Sequence, residues 1–362
     1  MRYERAVTRS LRRLVRYERA VTKGGGRNHS WRRPFVTLRG SQAHREAPQG
    51  PVCGYRVPVP DYCSRDWRPD WPCPVGEVWG HAKRGVADPT YRVQGGRHWR
   101  ALNTPDGPAT LAVRPLDSSG VIHAEAWGPG AEWTAEWFPV LLGAADDPSD
   151  FRPLHPLVAE LHRRRPHWRL ARTASVWDAL VPVVIEQKVT GQEATFGIRA
   201  LLARHGEPAP GPGAALGLRT FPLPDTVRRI PSWEWLAMHI DPARSRTLVQ
   251  AATVATTLER VLSAEPDRAD ARLRSLPGIG VWTSAEVRAR ALGDADAVSF
   301  GDYHVPRDIG WALVGEPLDD AGLAELLEPY RPHRLRVQRL VTMAGVGVPR
   351  RGPRLAPRTH LP

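Results

Sequence analysis

The segment that most constrains this chain is LRSLPGIGVWTSAEVRARAL, residues 273–292. Apolar spacing predicts one helix ending at Leu276 and a second beginning near Val281. Only a tight turn, Pro277-Gly278-Ile279-Gly280, separates them. Pro277 stiffens the entry, and Ile279 can pack down between the helices. Gly278 and Gly280 leave the backbone bare. The second helix then points its free N–H groups outward, where they can hold a phosphate. Such a unit grips nucleic-acid backbone without reading sequence. An ordinary corner between two helices carries the same pattern.

A second motif follows. SFGDYHVPRDIGWAL, residues 299–313, places Asp302 twenty-two residues after Gly280 and just before another helix. A carboxylate there caps the helix in the ordinary case. Pro306 falls in the first turn and blurs the cap position.

The rest of the chain gives these motifs a frame. HPLVAELHRRR, SVWDALVPVVIEQKV, GQEATFGIRALLARHG, SWEWLAMHI, PARSRTLVQAATVATTLERVLS and ARLRSL carry apolar residues at helical spacing. Residues 151–348 therefore read as an all-α bundle. Upstream, TYRV and HWRALN flank Gly95-Gly96, ATLAVRPL follows Asp106-Gly107, and VIHAEAWG follows Gly120. These are turn-separated strands, with AEWTAEWFPVLLG as a helix after them. A small antiparallel α+β domain over 85–150 is expected. Residues 1–84 read as a basic, disordered extension in which RYERAVT occurs twice, and 349–362 as a basic, Pro-rich tail.

Net charge is +13, and residues 1–50 hold 13 Lys and Arg against 3 Asp and Glu. The basic excess is thus mostly terminal, which suits a polyanion such as nucleic acid or simply a solvated tail. No apolar run is long enough to span a membrane, and the Arg-rich start lacks the apolar core of a secretory signal. Cys53, Cys63 and Cys73 stand ten residues apart, with no Cys-x-x-Cys pair and no partnered histidines. That spacing supports neither a disulfide framework nor a metal site.

Taken in order and at this separation, LPGIGVWTSA, Gly-Asp-Tyr and an upstream Ile-Glu-Gln-Lys-Val segment resemble the helix-hairpin-helix DNA glycosylase superfamily. Within it the pattern is most similar to the 3-methyladenine DNA glycosylase II branch. The resemblance covers residues 170–345 well and 88–150 more weakly. It implies a mainly α bundle of two helical subdomains behind the small α+β domain. It also implies a monofunctional enzyme of base excision repair. The damaged nucleotide, an alkylated purine in that branch, is flipped out of duplex DNA and its N-glycosidic bond is hydrolysed. Asp302 would be the catalytic carboxylate. Trp282, Tyr303, Gln187 and Glu286 would line the base pocket. Pro277, Gly278, Ile279, Gly280 and Thr283 would bind DNA. Lys188 would be the wedge filling the gap left by the base.

Several positions depart from the branch. Glu286 and Thr342 stand where aromatic pocket walls are expected, and Lys188 replaces an apolar wedge. Two other readings therefore stay open: a glycosylase for deaminated or oxidised bases, and a non-catalytic damaged-DNA-binding protein. Superfamily members that also nick the strand carry a Lys two residues after the second hairpin glycine. Here that residue is Trp282, and no lysine follows Lys188. No cysteine follows Cys73, so no iron–sulfur cluster is expected. The one candidate ion is a monovalent cation at the hairpin. The expected partner is damaged double-stranded DNA, met by a monomer in a bacterial cytoplasm at the nucleoid, with no membrane.

Overall fold

The computed structural model describes residues 61–349 apart from 81, 82, 86, 117 and 118. The chain before residue 61, with the RYERAVT repeat and Cys53, and the tail from 350 onward lie outside the described residues.

Five antiparallel strands form one sheet in the order β1-β5-β4-β3-β2: β1 Tyr62–Trp67, β2 Tyr91–Gln94, β3 Arg97–Thr104, β4 Gly107–Leu116 and β5 Val121–Trp127. Strands β2 to β5 are the expected meander, turning at Gly95-Gly96 and Gly107, where φ is positive. The expected boundary at residue 85 is corrected. Strand β1 pairs with β5 from Tyr62↔Trp127 to Trp67↔Ile122. The helix Val75–Gly80 then buries Val75, Val78 and Trp79, with Trp79 Nε1 donating to the Leu141 carbonyl at 2.7 Å. YCSRDW gives no alternating signal because β1 is an edge strand with mostly exposed side chains. Its pairing is carried by backbone, which composition does not reveal.

The rest is helical. A sequence with 36 prolines builds these helices because many prolines sit in first turns, as at Pro156, Pro224, Pro242, Pro266 and Pro306. There the missing N–H has no intrahelical partner to lose. The helix Val176–Ile185 buries every residue except Asp178. It is the apolar centre of the bundle and packs against the helix Val281–Ala291. Its first N–H groups are met from a distance, since Glu259 accepts from Val176 N and Trp177 N at 2.9 and 2.8 Å.

Sheet and bundle share a core. Leu111, Val113, Phe138 and Leu142 from the α+β side pack in one cluster with Trp168, Ala285, Ala289 and Leu335. The Val281–Ala291 helix therefore touches both layers, and it is this helix that the hairpin introduces.

Candidate active site

The hairpin forms as its residues dictate. The helix Pro266–Arg274 ends, Ile279 N donates to the Leu276 carbonyl at 3.1 Å, and Gly280 opens the helix Val281–Ala291. Ile279 is buried in the bundle core, while Pro277, Gly278 and Gly280 are exposed. The two glycines differ. Gly278 has φ +86°, and a Cβ there would come within 2.0 Å of Thr247 Oγ1. Gly280 has φ −92°, and a Cβ there would meet nothing within 4 Å. The fold requires the first glycine and not the second. No side chain caps the Val281–Ala291 helix, so its first-turn N–H groups face outward beside open space.

Gln187 has a structural task that the sequence motif did not indicate. Its Nε2 donates to the Gly278 carbonyl at 2.9 Å and to Thr283 Oγ1 at 2.8 Å. Through its NH2 it braces the hairpin. Thr283 is corrected: it is buried, and its hydroxyl accepts from Gln187, so it supports the turn without facing out. The brace sets Lys188 next to the hairpin. Lys188 is exposed and sits in the left-handed region at φ +55°, a conformation unusual for a residue with a side chain. Thr190 then caps the next helix in a capping box with Glu193.

Asp302 lies on the other side of Trp282. Its Oδ1 accepts from His304 N at 2.7 Å and Val305 N at 3.0 Å, capping the helix Val305–Val314. Its Oδ2 accepts from Trp282 Nε1 at 3.2 Å. One oxygen is thus spent on the helix, and the other is held by a single indole N–H with lone-pair capacity left. Gly301, at φ +84°, makes the turn into Asp302, and its N–H donates to Asp320 Oδ2 at 2.9 Å. Tyr303 projects outward at 74% exposure, with the Arg307 guanidinium 5.6 Å from its ring. It is an exposed platform and not a core ring.

Glu286 is not a pocket wall. It is 5% exposed and pairs with Arg290 at 2.7 Å and Arg339 at 3.4 Å. The Ser299 hydroxyl also donates to it. Burial alone would raise its carboxyl, but the charges of Arg290 and Arg339, with the Ser299 hydroxyl, hold it at about 2. Gln338 completes the group, with Oε1 accepting from Ser299 N at 3.1 Å and Nε2 donating to Ser299 Oγ at 2.8 Å. Ser299 is three residues before Asp302, and Asp302 N donates to its carbonyl at 3.2 Å. The buried ionic layer therefore pins the turn that carries the carboxylate. The sequence motif gave no hint of this role. The only signal was a charged residue at i+4 from another, Glu286 and Arg290, on an otherwise small and apolar helix face.

Among the described residues no three His, Cys, Asp or Glu are grouped to hold a metal. Cys63 and Cys73 are free thiols, and burial pushes Cys73 up to about 12. At the hairpin the Leu276 and Gly278 carbonyls each accept one hydrogen bond.

No protein-family model matches the chain. Solved structures with this architecture include a 3-methyladenine DNA glycosylase from Archaeoglobus fulgidus (TM-score 0.59, 20% identity, covering 71% of this chain and 90% of that one). Another is MBOgg1 in complex with a low-affinity DNA ligand (TM-score 0.60, 13% identity, covering 78% and 95%). The fold is the helix-hairpin-helix fold of these glycosylases. In sequence, the chain is 30% identical over 173 residues to a Mycobacterium tuberculosis protein described as a probable bifunctional transcriptional activator and DNA repair enzyme, AlkA. The match covers 47% of this chain and 34% of that relative, so the chain spans about a third of the length of the curated relative it matches.

Proposed function

We propose that this chain is a monofunctional DNA glycosylase that hydrolyses the N-glycosidic bond of a damaged base, an alkylated purine, in duplex DNA. The observation that carries the reading is the Trp282–Asp302 contact beside an uncapped hairpin helix. It sets a ring for stacking and a carboxylate for charge stabilisation next to a phosphate-gripping turn.

The exposed Gly278-Ile279-Gly280 backbone and the free N–H groups behind it dock a DNA phosphate. Lys188, held outward by its left-handed backbone and placed by the Gln187 brace, enters the gap left by the extruded nucleotide. Its stem packs against bases, and its ammonium reaches a phosphate. Trp282 and Tyr303 offer ring faces to the flipped base. As the C1′–N bond breaks, the base leaves with the electron pair and positive charge grows on the sugar. A carboxylate about 4 Å away stabilises that charge by about 4 kcal/mol at an effective dielectric near 20, on the order of 10³-fold in rate. Asp302 Oδ2 is the oxygen placed for this. Water adds at C1′ and its proton passes to the carboxylate or to solvent. With Trp282 instead of a lysine two residues after Gly280, and the Lys188 ammonium engaged by a phosphate, the hairpin helix offers no amine for Schiff-base chemistry. Strand cleavage is not expected.

A second reading draws on Glu286. With that carboxylate locked to Arg290 and Arg339, the cage for a cationic base is reduced to Trp282 and Tyr303, which favours a neutral lesion, deaminated or oxidised. Duplexes each carrying one lesion, followed by heat or alkali cleavage of abasic products, separate the cases. Release of alkylated purines supports the first reading. Release confined to deaminated or oxidised bases supports the second. Duplex binding without any base release would leave only a DNA-binding protein.

A further inference from the structure

A cavity of about 80 Å³ lies where the sheet meets the bundle. It is lined by Arg84 and Arg100 from the α+β side, Arg169 and Arg172 from the connecting segment, and Arg290 and Arg339 from the bundle. Arg169 donates from Nη1 to the Asp146 carbonyl at 2.7 Å and lies 3.8 Å over the Trp71 ring. Asp178 is the only carboxylate in its lining. Among the described residues, acidic partners account for only part of this charge. Glu186 pairs with Arg84, and Glu286 with Arg290 and Arg339. Asp178 is taken up by the Asn103 backbone N–H and side-chain amide, at 3.0 and 2.8 Å. Arg172 makes one hydrogen bond, from Nη2 to the Ala145 carbonyl at 3.2 Å, and no ion pair.

Arg100 is the sharper case. Its guanidinium lies 5.4 Å over the Trp79 ring. Its Nε is buried with no hydrogen-bond partner, as is Arg290 Nε. Burial lowers its pKa against the opposing charges of Asp88 and Asp178, neither of which makes an ion pair with it. A buried guanidinium with no paired anion is strongly unfavourable. Arg100, half-buried with its Nε closed off and unpartnered, and Arg172, half-buried with a single exposed hydrogen bond, both open onto one small cavity. That space accommodates a few waters or one compact oxyanion, and is far too narrow for a nucleotide base or a DNA strand.

We propose that this cavity is an anion site for a phosphate group, either inorganic phosphate or the phosphate of a small monoester, and that its occupant neutralises Arg100 and Arg172 at the junction of sheet and bundle. A dianion meets the Arg100 and Arg172 guanidiniums, with Arg169 also in the lining and in no ion pair, and the planar N–H forks of arginine suit phosphate oxygens. The site is separate from the hairpin, and no residue of the Pro277–Gly280 turn lines it.

The test is thermal unfolding of the full chain with inorganic phosphate titrated at constant ionic strength, chloride making up the balance. The wild type should show a saturable rise of about 2 °C or more. Arg100→Met should abolish the rise while keeping or raising the phosphate-free Tm, because it removes a half-buried charge that has no ion pair and a closed-off Nε. Arg172→Gln should weaken apparent phosphate affinity about tenfold and serves if the first variant does not fold. Gly280→Asp should keep the full rise, whereas its loss there and retention in both arginine variants would place phosphate on the hairpin and overturn the proposal. No saturable rise below about 10 mM phosphate, a binding energy too small for a built site, would overturn it as well. A duplex oligonucleotide supplies the remaining arm. Duplex affinity unchanged in Arg100→Met supports a small-molecule site. A loss parallel to the phosphate effect would assign these guanidiniums to the DNA backbone and contradict it.

Discussion

At its N-terminal end the Val281–Ala291 helix presents bare backbone: two exposed glycines, an uncapped first turn and Val281 open to solvent. One turn further along, the same helix carries Glu286, closed in by Arg290, Arg339, Ser299 and, through Ser299, Gln338. The first region has polar groups without partners on an open surface. The second has its carboxylate fully engaged in the interior, by two guanidiniums and a hydroxyl. The contrast separates what the fold needs from what a ligand needs. Groups left open at a surface cost little until something binds them, whereas a buried charge without a partner costs the fold several kcal/mol. On this account the buried layer acts on function only by holding Ser299, and with it the turn that carries Asp302.

Substitutions at the two regions should therefore differ in kind, and the largest stability effect belongs to the buried layer. Glu286→Gln leaves Arg290 and Arg339 facing a neutral group. It should cost about 3 kcal/mol or more in denaturant unfolding. The pH dependence has a definite sign. The carboxyl is held at about 2, below the value of about 4.3 in an unfolded chain. Its contribution is complete above the unfolded pKa and is lost as pH falls toward the folded one. The stability gap between wild type and Glu286→Gln should be constant near neutrality and should shrink between about pH 5 and pH 2. A gap independent of pH would show that packing, not charge, makes the difference.

The next effect in size is Gly278→Ala. The left-handed backbone and the approach to Thr247 together predict a loss of about 2 kcal/mol, read by the same unfolding experiment. Duplex binding should fall only as far as folding does. Gly280→Ala, two residues on, should change stability by less than about 0.5 kcal/mol, because its new methyl meets nothing in the free protein. It should nonetheless weaken affinity for damaged and undamaged duplexes alike, since the methyl occupies space reserved for the strand. Unchanged affinity in a well-folded Gly280→Ala protein would reduce the hairpin to a helix corner and erase the contrast between the two regions.

The same contrast explains what could be read from the sequence. The hairpin is legible because its signal is local: Pro277, Gly278 and Gly280 are backbone requirements within four residues, and Ile279 is buried as its type demands. The meander and the bundle are legible for the same reason, from turns and periodicity. Asp302 is legible as a cap, which it is. Its chemical role enters only through the resemblance and through Trp282 Nε1 on its other oxygen. What stayed hidden depends on distant partners. The bracing role of Gln187 shows only when its amide is seen on Gly278, 91 positions away. Glu286 looks like a misplaced pocket wall until Arg339 arrives from 53 positions downstream. Strand β1 is hidden because its pairing with β5 spans a long loop and leaves no apolar alternation.

The central claim is that Asp302 stabilises charge on the sugar rather than merely capping a helix, and one variant tests it directly. Asparagine Oδ1 can still accept from His304 N and Val305 N, while its NH2 cannot accept from Trp282 Nε1. Asp302→Asn should therefore lose about 1 kcal/mol of stability at most and keep the duplex affinity of the wild type while removing the negative charge. Single-turnover base release from the best lesion duplex should then fall about 10³-fold. A folded Asp302→Asn protein that binds duplex normally and keeps more than about a tenth of wild-type base release would contradict the account.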